Sequence, residues 1–272
     1  MAFPKPTHKD ATDTGTGPSG SIWHNCPVLE ILSDPKKGIY FYDDFVDIPV
    51  LTTPTITTQA AWGGHRYAAF GSSGGTLVSG GSQFGDIVLT ETDDNEGVSI
   101  KTISTPFKII IGGGDVWFEA RLKTNTISDT EHGFFIGMAD SLTLSATVPI
   151  AAAGTLADEN FVGFHRLEGD GDKVDTVYKA DGVTQVTVGT DAGTLVADTY
   201  TKLGFYYNDT TNVLSFYQDG AKLTDTKTIP SAAGTDFPND VNMGLVLAML
   251  CASNNDAIVT MDWWRAAQLR VS

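Results

Sequence analysis

The sequence predicts an all-β protein built as an antiparallel β-sandwich. From residue 38 onward, short segments alternate apolar and polar residues or are rich in β-branched and aromatic side chains. Gly, Asp and Asn residues that favour turns separate these segments, and none has the apolar spacing of a three-turn amphipathic helix. About a dozen short strands joined by hairpin turns are typical of a sandwich with a single core.

The composition agrees with one globular β domain. The chain has 272 residues, of which 41% are apolar and 18% are charged, with 29 glycines. All-β sandwiches of ~200–250 residues commonly form a single domain, so the chain is long enough for a large core. We therefore place one β-sandwich domain at residues 38–272, preceded by an extended N-terminal arm at residues 1–37.

Clusters of β-branched and aromatic residues predict the strands in order, and Gly, Asp or Asn residues mark the ends of each cluster. A long connection at residues 141–160 has room for one short helical turn. In the second half, the turn sequences KADG, YNDTTN and YQDG indicate hairpins. The predicted strands are residues 38–46, 84–92, 97–104, 115–124, 132–140, 159–168, 173–181, 183–188, 199–209, 213–223, 241–250 and 257–271.

The arm at residues 1–37 is rich in Thr, Pro, Gly, Ser and Lys and shows no periodicity. Such a segment buries too little apolar surface to offset the entropy lost on ordering. We expect a neighbouring subunit of a homo-oligomer to hold the arm in place, with Phe3 and Trp23 among the partner-binding residues.

The charge of the chain excludes several classes of partner. Lys plus Arg is 17 against Asp plus Glu at 33, and the net charge of −16 repels phosphate backbones and anionic lipid surfaces. We therefore expect neither a nucleic-acid ligand nor a membrane partner. The N-terminus lacks the apolar core of a secretory signal, and no stretch approaches the ~20 apolar residues of a membrane span, so synthesis in the cytosol is expected.

The cysteines and histidines predict no transition-metal site. Cys26 and Cys251 fit neither a disulfide framework nor a zinc-ligand spacing, so two buried thiols are favoured over a single disulfide. The histidines at positions 8, 24, 65, 132 and 165 are never paired at i, i+2 or i, i+4.

Two adjacent tryptophans, Trp263 and Trp264, lie in the closing segment TMDWWRAAQLRVS. Neighbours in a strand point to opposite faces of the sheet, so one ring is expected in the core and the other on the outer face. Trp and Arg are enriched at interface hot spots, so we expect Trp264 and Arg265 to contribute to a partner contact.

Five segments stand in a recognisable order: VWFEARLKT, GFFIGMAD, NFVGFHRLEGDG, TYTKLGFYYNDTTNVLSFYQDGAKL and VNMGLVLAMLCASNNDAIVTMDWWRAAQL. Their order within residues 38–272 resembles the concanavalin A-like lectin/glucanase jelly roll, which is also seen in laminin G-like domains. The closing strand and the run GTLADENFVGF resemble, more specifically, virion proteins of tailed bacteriophages such as head decoration proteins. The resemblance implies a jelly-roll sandwich.

The segment ETDDNE, residues 91–96, has the E-x-D-x-x-E spacing with which glucanases of this superfamily place their acids. A retaining glycosidase needs two carboxyl groups about 5 Å apart, one ionised and one protonated. The residues between the acids are polar and Gly97 follows, which is typical of a hairpin turn. We expect an exposed acidic turn with both carboxylates solvated, and therefore no catalytic residues.

Three further motifs have ordinary explanations. GSSGG, residues 71–75, matches the nucleophile-elbow pattern at Ser73, but no helical period follows it, so a glycine-rich loop is predicted. EGDGDKVD spaces Asp170, Asp172 and Asp175 as weak candidates for Ca²⁺, an ion that some superfamily members bind, although acidic turns seldom need a metal. The glycosylation sequon that begins at Asn208 is interpreted as a hairpin turn. No cofactor is expected.

Three functions remain open. The first is a non-enzymatic virion structural protein, a capsid decoration or cement protein. It would contact the major capsid protein or other virion subunits through its arm, and the class resemblance implies that such proteins are often trimers. The second is a lectin-like module that binds a glycan, for instance in host adhesion. The third, a glucanase, depends only on the acids of ETDDNE, beginning with Glu91.

Overall fold

The computed structural model describes residues 15–46, 60–62, 66–73, 75–81, 85–151, 154–231, 236–253 and 256–271, with only the backbone described for residues 60–62. Two short helices precede the strands, and nearly all regular structure in these ranges is β. The helices are α1 (Gly20–Trp23) and α2 (Val28–Ser33). The strands are β1 (Gly38–Asp43), β2 (Ala60–Trp62), β3 (Tyr67–Gly71), β4 (Thr76–Ser79), β5 (Ile87–Glu91), β6 (Gly97–Thr102), β7 (Val116–Thr124), β8 (His132–Ala139), β9 (Phe161–Arg166), β10 (Lys173–Lys179), β11 (Val186–Thr194), β12 (Thr201–Asn208), β13 (Val213–Gln218), β14 (Ala221–Thr228), β15 (Gly244–Cys251) and β16 (Ala257–Leu269).

The strands form two sheets that pack face to face as an antiparallel jelly-roll sandwich, which confirms the predicted fold class. The first sheet has the order β14-β13-β12-β7-β16-β5-β4, with β1 also paired to β16. The second sheet has the order β11-β10-β9-β8-β15-β6-β3-β2. The long strand β16 makes this arrangement possible, because it pairs with β5 through its first part and with β1 through its last part.

The main core lies between the two sheets. Alternate residues of each strand point inward, as the period of two requires. In β8, for example, Phe134, Ile136 and Met138 belong to the core cluster and are fully buried. Trp264 and Phe118 from the first sheet join the same cluster.

Three strands were not predicted from the sequence. The segments AAW, YAAFG and TLVS of β2, β3 and β4 are short and flanked by glycines, so their strand pattern is weak. The predicted strand 213–223 is two strands, because Asp219 and Gly220 adopt left-handed backbone angles (φ 49° and 79°) and turn the chain into a hairpin.

The described part of the N-terminal arm packs on its own domain, which corrects the prediction that a neighbouring subunit holds it. We call residues 15–37 the strap. Its buried residues Ile22, Trp23, Cys26 and Ile31 form a cluster with side chains on the outer face of the first sheet. This segment contains the two short helices α1 and α2, which the composition of the arm did not predict. The partner residue Phe3, like all of residues 1–14, lies outside the described residues.

The long connection at residues 141–160 covers the outer face of the second sheet. Its buried residues are Leu142, Leu144, Ile150 and Leu156, and they pack against outward side chains such as Phe135 and Phe161. No helical turn is found in its described part, where isolated β-bridges link Ser145 to Val148 and Ile150 to Leu156. The sandwich therefore has one of the chain's own segments on each outer face.

Among the described residues, no helix is long and apolar enough to cross a membrane.

Candidate functional site

The acids of ETDDNE lie in a turn and do not share a strand face. Glu91 ends β5 in the first sheet, and Glu96 precedes β6 in the second. Between them, Asn95 has a left-handed φ of 59°, which reverses the chain. The turn that the sequence predicted is therefore present. The two glutamates do not lie on one strand, as they would in a glucanase with this spacing.

One part of that prediction was wrong, because Glu91 is not solvated. Its side chain is fully buried, and one carboxylate oxygen accepts hydrogen bonds from the backbone N–H groups of Thr92 (2.9 Å) and Asp93 (3.2 Å). Burial raises the pKa of Glu91, while these two hydrogen bonds oppose the rise. The carboxylate thus organises its own turn.

The Ser73 motif lies at a turn between β3 and β4, with a strand and no helix after it. It therefore cannot form the strand-to-helix elbow that exposes a nucleophile. Asn208, the first residue of the sequon, also lies at a turn, where its side-chain oxygen accepts the N–H of Thr211 at 2.9 Å.

The candidate calcium ligands do not converge. Asp170 accepts the backbone N–H of Leu167 at 2.9 Å, and Asp172 pairs with Lys173 at 3.1 Å. Asp175 accepts the N–H of Asp191 at 2.8 Å. Within the described residues, no group of three or more His, Cys, Asp or Glu side chains could hold a metal ion.

Two of the described histidines, His132 and His165, and both cysteines are buried inside the fold. His132 and His165 are fully buried, and burial lowers their pKa values to about 3 and about 4, so both rings are neutral. Cys26 and Cys251 form no disulfide and both are buried, which confirms the prediction of two buried thiols.

The adjacent tryptophans point to opposite faces, as predicted. Trp264 enters the main core, where its ring centroid lies 5.7 Å from that of Tyr67. Trp263 points to the outer face, and its Nε1–H donates to the carbonyl of Thr16 in the strap at 2.9 Å. The outward ring is therefore Trp263 and not Trp264.

The predicted partner-binding residues that the structure describes are buried within the chain. Trp23 is 2% exposed, Trp264 is fully buried and Arg265 is 7% exposed. The guanidinium of Arg265 lies 4.1 Å from the centre of the Trp23 ring, a cation–π contact inside the subunit. These three side chains offer no surface to a partner, which corrects the prediction for them.

The structure instead shows an open groove on the outer face of the first sheet, beside the strap. We call it the Tyr42 groove. Its volume is about 500 Å³, within the range of small-ligand pockets, ~300–1,000 Å³. It is lined by Thr16, Gly17, Pro18, Tyr42, Asp44, Val46, Arg121, Tyr200, Asp262 and Trp263.

Both aromatic and charged side chains line the Tyr42 groove. Arg121 forms an ion pair with Asp262 and also lies 4.0 Å from the centre of the Tyr200 ring. Lys123 approaches the same ring at 5.1 Å. Tyr42 is 40% exposed at the rim. The groove thus offers aromatic surface together with hydrogen-bond donors and acceptors.

Burial controls the electrostatics of the Tyr42 groove. Burial raises the pKa of Asp262, and the nearby carboxylates of Asp86 and Asp44 raise it further. The hydrogen bond and the positive charge of Arg121 lower the pKa of Asp262 and so oppose this rise. The pKa of Tyr200 is also raised, first by burial and then by Asp86 and Asp262. The acids around the groove therefore interact with one another.

Sequence reasoning did not find this groove. Its lining comes from the strap, β1, β7, the segment before β12, and β16, so no local motif connects the residues. Of its lining residues, only Trp263 was singled out from the sequence, as one of the two adjacent tryptophans.

No protein-family model matches the chain, and no curated protein matches it by sequence. Solved structures do share its fold. Peanut lectin in complex with a nine-residue peptide is 14% identical with a TM-score of 0.54, covering 87% of this chain and 100% of that one. Endo-1,3-β-glucanase from Streptomyces sioyaensis is 15% identical with a TM-score of 0.52, covering 88% and 99%. A protein of unknown function from Shewanella oneidensis MR-1 is 12% identical with a TM-score of 0.54, covering 90% and 93%.

These likenesses show the fold of the chain, the concanavalin A-like β-sandwich that the similar lectin and glucanase structures share. At identities of 12–15% the likeness concerns the fold alone. Lectins and enzymes both occur among the similar structures, so activity must be argued from the residues of this chain.

Proposed function

We propose that the chain is a non-enzymatic structural protein of a tailed-bacteriophage virion, with the role of a capsid decoration protein. One observation supports the non-enzymatic part: a segment of the chain itself packs on each outer face of the sandwich and covers part of it. Retaining glycoside hydrolysis needs two carboxyl groups about 5 Å apart, whereas Glu91 and Glu96, the two glutamates with the glucanase spacing, are separated by a turn. The sequence resemblance of GTLADENFVGF and the closing strand supports the phage assignment.

A structural protein needs exposed contacts with other virion subunits, and α2 supplies a candidate. Leu29 and Leu32 are 59% and 60% exposed and lie three residues apart, on the same side of the helix. Large apolar side chains exposed together are typical of protein contact sites. In this proposal Leu29 and Leu32 bind a major capsid protein or a second copy of the chain. They take the partner-binding role that the sequence predicted for Trp23, which is buried.

The test is the protein content of purified virions that carry the gene. We expect the chain in the particles, and we expect the double variant Leu29→Asp with Leu32→Asp to be lost from them. Val196→Asp is a matched control, because Val196 is also 59% exposed but lies after β11. A chain that is absent from virions would overturn the proposal.

A second candidate function, glycan binding, is favoured by the Tyr42 groove. Aromatic rings such as Tyr42 and Tyr200 can stack on the apolar faces of sugars, while Asp44, Asp262 and Arg121 can hydrogen-bond hydroxyl groups. Lectins among the similar structures support this reading of the fold. The buried tryptophans do not contribute, because a sugar cannot reach them.

A glycan array tests the second candidate separately. Binding that Tyr42→Ala and Tyr200→Ala remove, and that the exposed control Ile103→Ala retains, would support it. An array without any bound glycan would contradict glycan binding and would leave the virion proposal standing.

A further inference from the structure

The Tyr42 groove begins where the described chain begins. Thr16, Gly17 and Pro18 form one of its walls, so the residues that precede them enter the structure at its rim. The wall is firmly attached: Trp263 donates to the carbonyl of Thr16 at 2.9 Å, and Lys202 donates to the carbonyls of Gly15 and Gly17 at 3.2 and 3.3 Å. Residues 1–14, MAFPKPTHKDATDT, therefore start from a fixed point beside an open groove.

We propose that the N-terminal segment occupies the Tyr42 groove of its own subunit, with Phe3 and the adjacent Pro4 on the apolar rim. This proposal depends on neither of the two functions above.

The chemistry of the groove and of the segment is complementary. At the rim, Tyr42 and Val46 expose 40% and 56% of their surface, an apolar area that Phe3 would cover. Asp44 lies between these two rim residues in sequence and lines the groove. Residues 1–9 carry Lys5 and Lys9 and no acidic residue, so this part of a strongly acidic chain suits an acidic groove.

The geometry favours the subunit's own segment over that of a second copy. Phe3 and Thr16 are thirteen positions apart, a reach of up to ~40 Å for extended chain. A short linker gives an effective concentration in the millimolar range, which a second copy in dilute solution does not match.

Photo-crosslinking of the full chain tests the proposal, with p-benzoylphenylalanine in place of Phe3. The ring is retained, so the segment should still bind. We expect crosslinks to residues 42–46, 200 or 262 of the same chain, at monomer mass and independent of dilution. The same group in place of Thr14 is the positional control, because it should label the strap wall near Thr16 instead.

A second variant keeps the result interpretable. Asp44→Lys changes a half-buried groove residue that takes part in no described ion pair, so the fold should persist. It should lower the groove crosslinks about tenfold, equivalent to ~1.4 kcal/mol. Crosslinks at dimer mass, crosslinks spread over other surfaces, or a yield that Asp44→Lys leaves unchanged would each overturn the proposal.

Discussion

The indole Nε1–H of Trp23 in the strap donates a hydrogen bond of 2.8 Å to the carboxylate of Glu119 on β7. The same carboxylate oxygen accepts the backbone N–H of Ser19 at 2.9 Å. Burial raises the pKa of Glu119, and these hydrogen bonds together with the charge of Lys202 oppose the rise. A buried carboxylate thus attaches the strap to the first sheet of its own subunit.

We predict that Trp23→Phe costs more stability than Trp117→Phe, by about 1–3 kcal/mol, because it removes a hydrogen bond to a buried charged group. Both rings are almost fully buried, but in the part of the chain that the structure describes, the Nε1 of Trp117 has no hydrogen-bond partner. Urea unfolding of the two variants measures the difference. Equal losses would show that the bond to Glu119 does not stabilise the strap.

We predict that Trp264→Ala lowers the free energy of unfolding by about 3–5 kcal/mol, as for other buried large-to-small changes. The ring packs between the sheets beside Tyr67 and Phe45. The exposed control Leu32→Ala should change stability by no more than ~0.5 kcal/mol. Thermal and urea unfolding check both values, and a stable Trp264→Ala protein would place the ring outside the core.

We predict that Gly137→Ala destabilises the protein by about 1–3 kcal/mol through overpacking. Gly137 and Gly163 pair across β8 and β9, and a Cβ at position 137 would lie 2.2 Å from the backbone oxygen of Val162. Gly169→Ala is the control, because a Cβ there meets nothing within 4 Å. Similar unfolding midpoints for the two variants would refute the close approach of these strands.

We predict that two buried histidines weaken the fold as the pH falls. The pKa values of His132 and His165 are about 3 and about 4 in the fold, against 6.5 for the free side chain. Below pH 6.5 the unfolded chain binds protons that the folded chain does not, so each histidine lowers stability by up to ~1.4 kcal/mol per pH unit until its folded pKa is reached.

The buried carboxyl groups act in the opposite direction. Because the folded pKa values of Glu91 and Glu119 are raised, protonation of these groups in acid favours the folded state. The histidine effect is therefore measured as a difference: unfolding free energies of the wild type and His132→Asn between pH 7 and pH 4.5. The gap between the two proteins should narrow as the pH falls, and a constant gap would contradict a neutral buried His132.

Strand patterns in the sequence were sufficient to place most of the sandwich. The apolar, aromatic-rich run of β8 and the hairpin turn before β13 depend only on neighbouring residues, so they are visible in the sequence. The strands β2, β3 and β4 were missed because short glycine-flanked segments become strands only when a neighbouring strand pairs with them, as β6 does with β3 and β5 does with β4.

The candidate site was less accessible to sequence reasoning. Trp263 and Trp264 were correctly assigned to opposite faces, but which ring enters the core depends on the irregularity in β16 between Met261 and Trp263. From the sequence, Glu91 was wrongly predicted to be exposed. Glu91 is buried because residues of β6 and of the β3–β4 turn surround its side chain.

By itself, the sequence determined that this chain is an acidic, all-β sandwich with a closing strand that carries two oppositely directed indoles. Local periodicity and turn chemistry act between near neighbours, so they can be recognised without coordinates. The tertiary structure decided that the strap lies on its own sheet through Trp23 and Glu119, and that Tyr42, Tyr200 and Asp262 share a groove. These relationships join residues tens to more than two hundred positions apart, and only the packing of the two sheets brings them into contact.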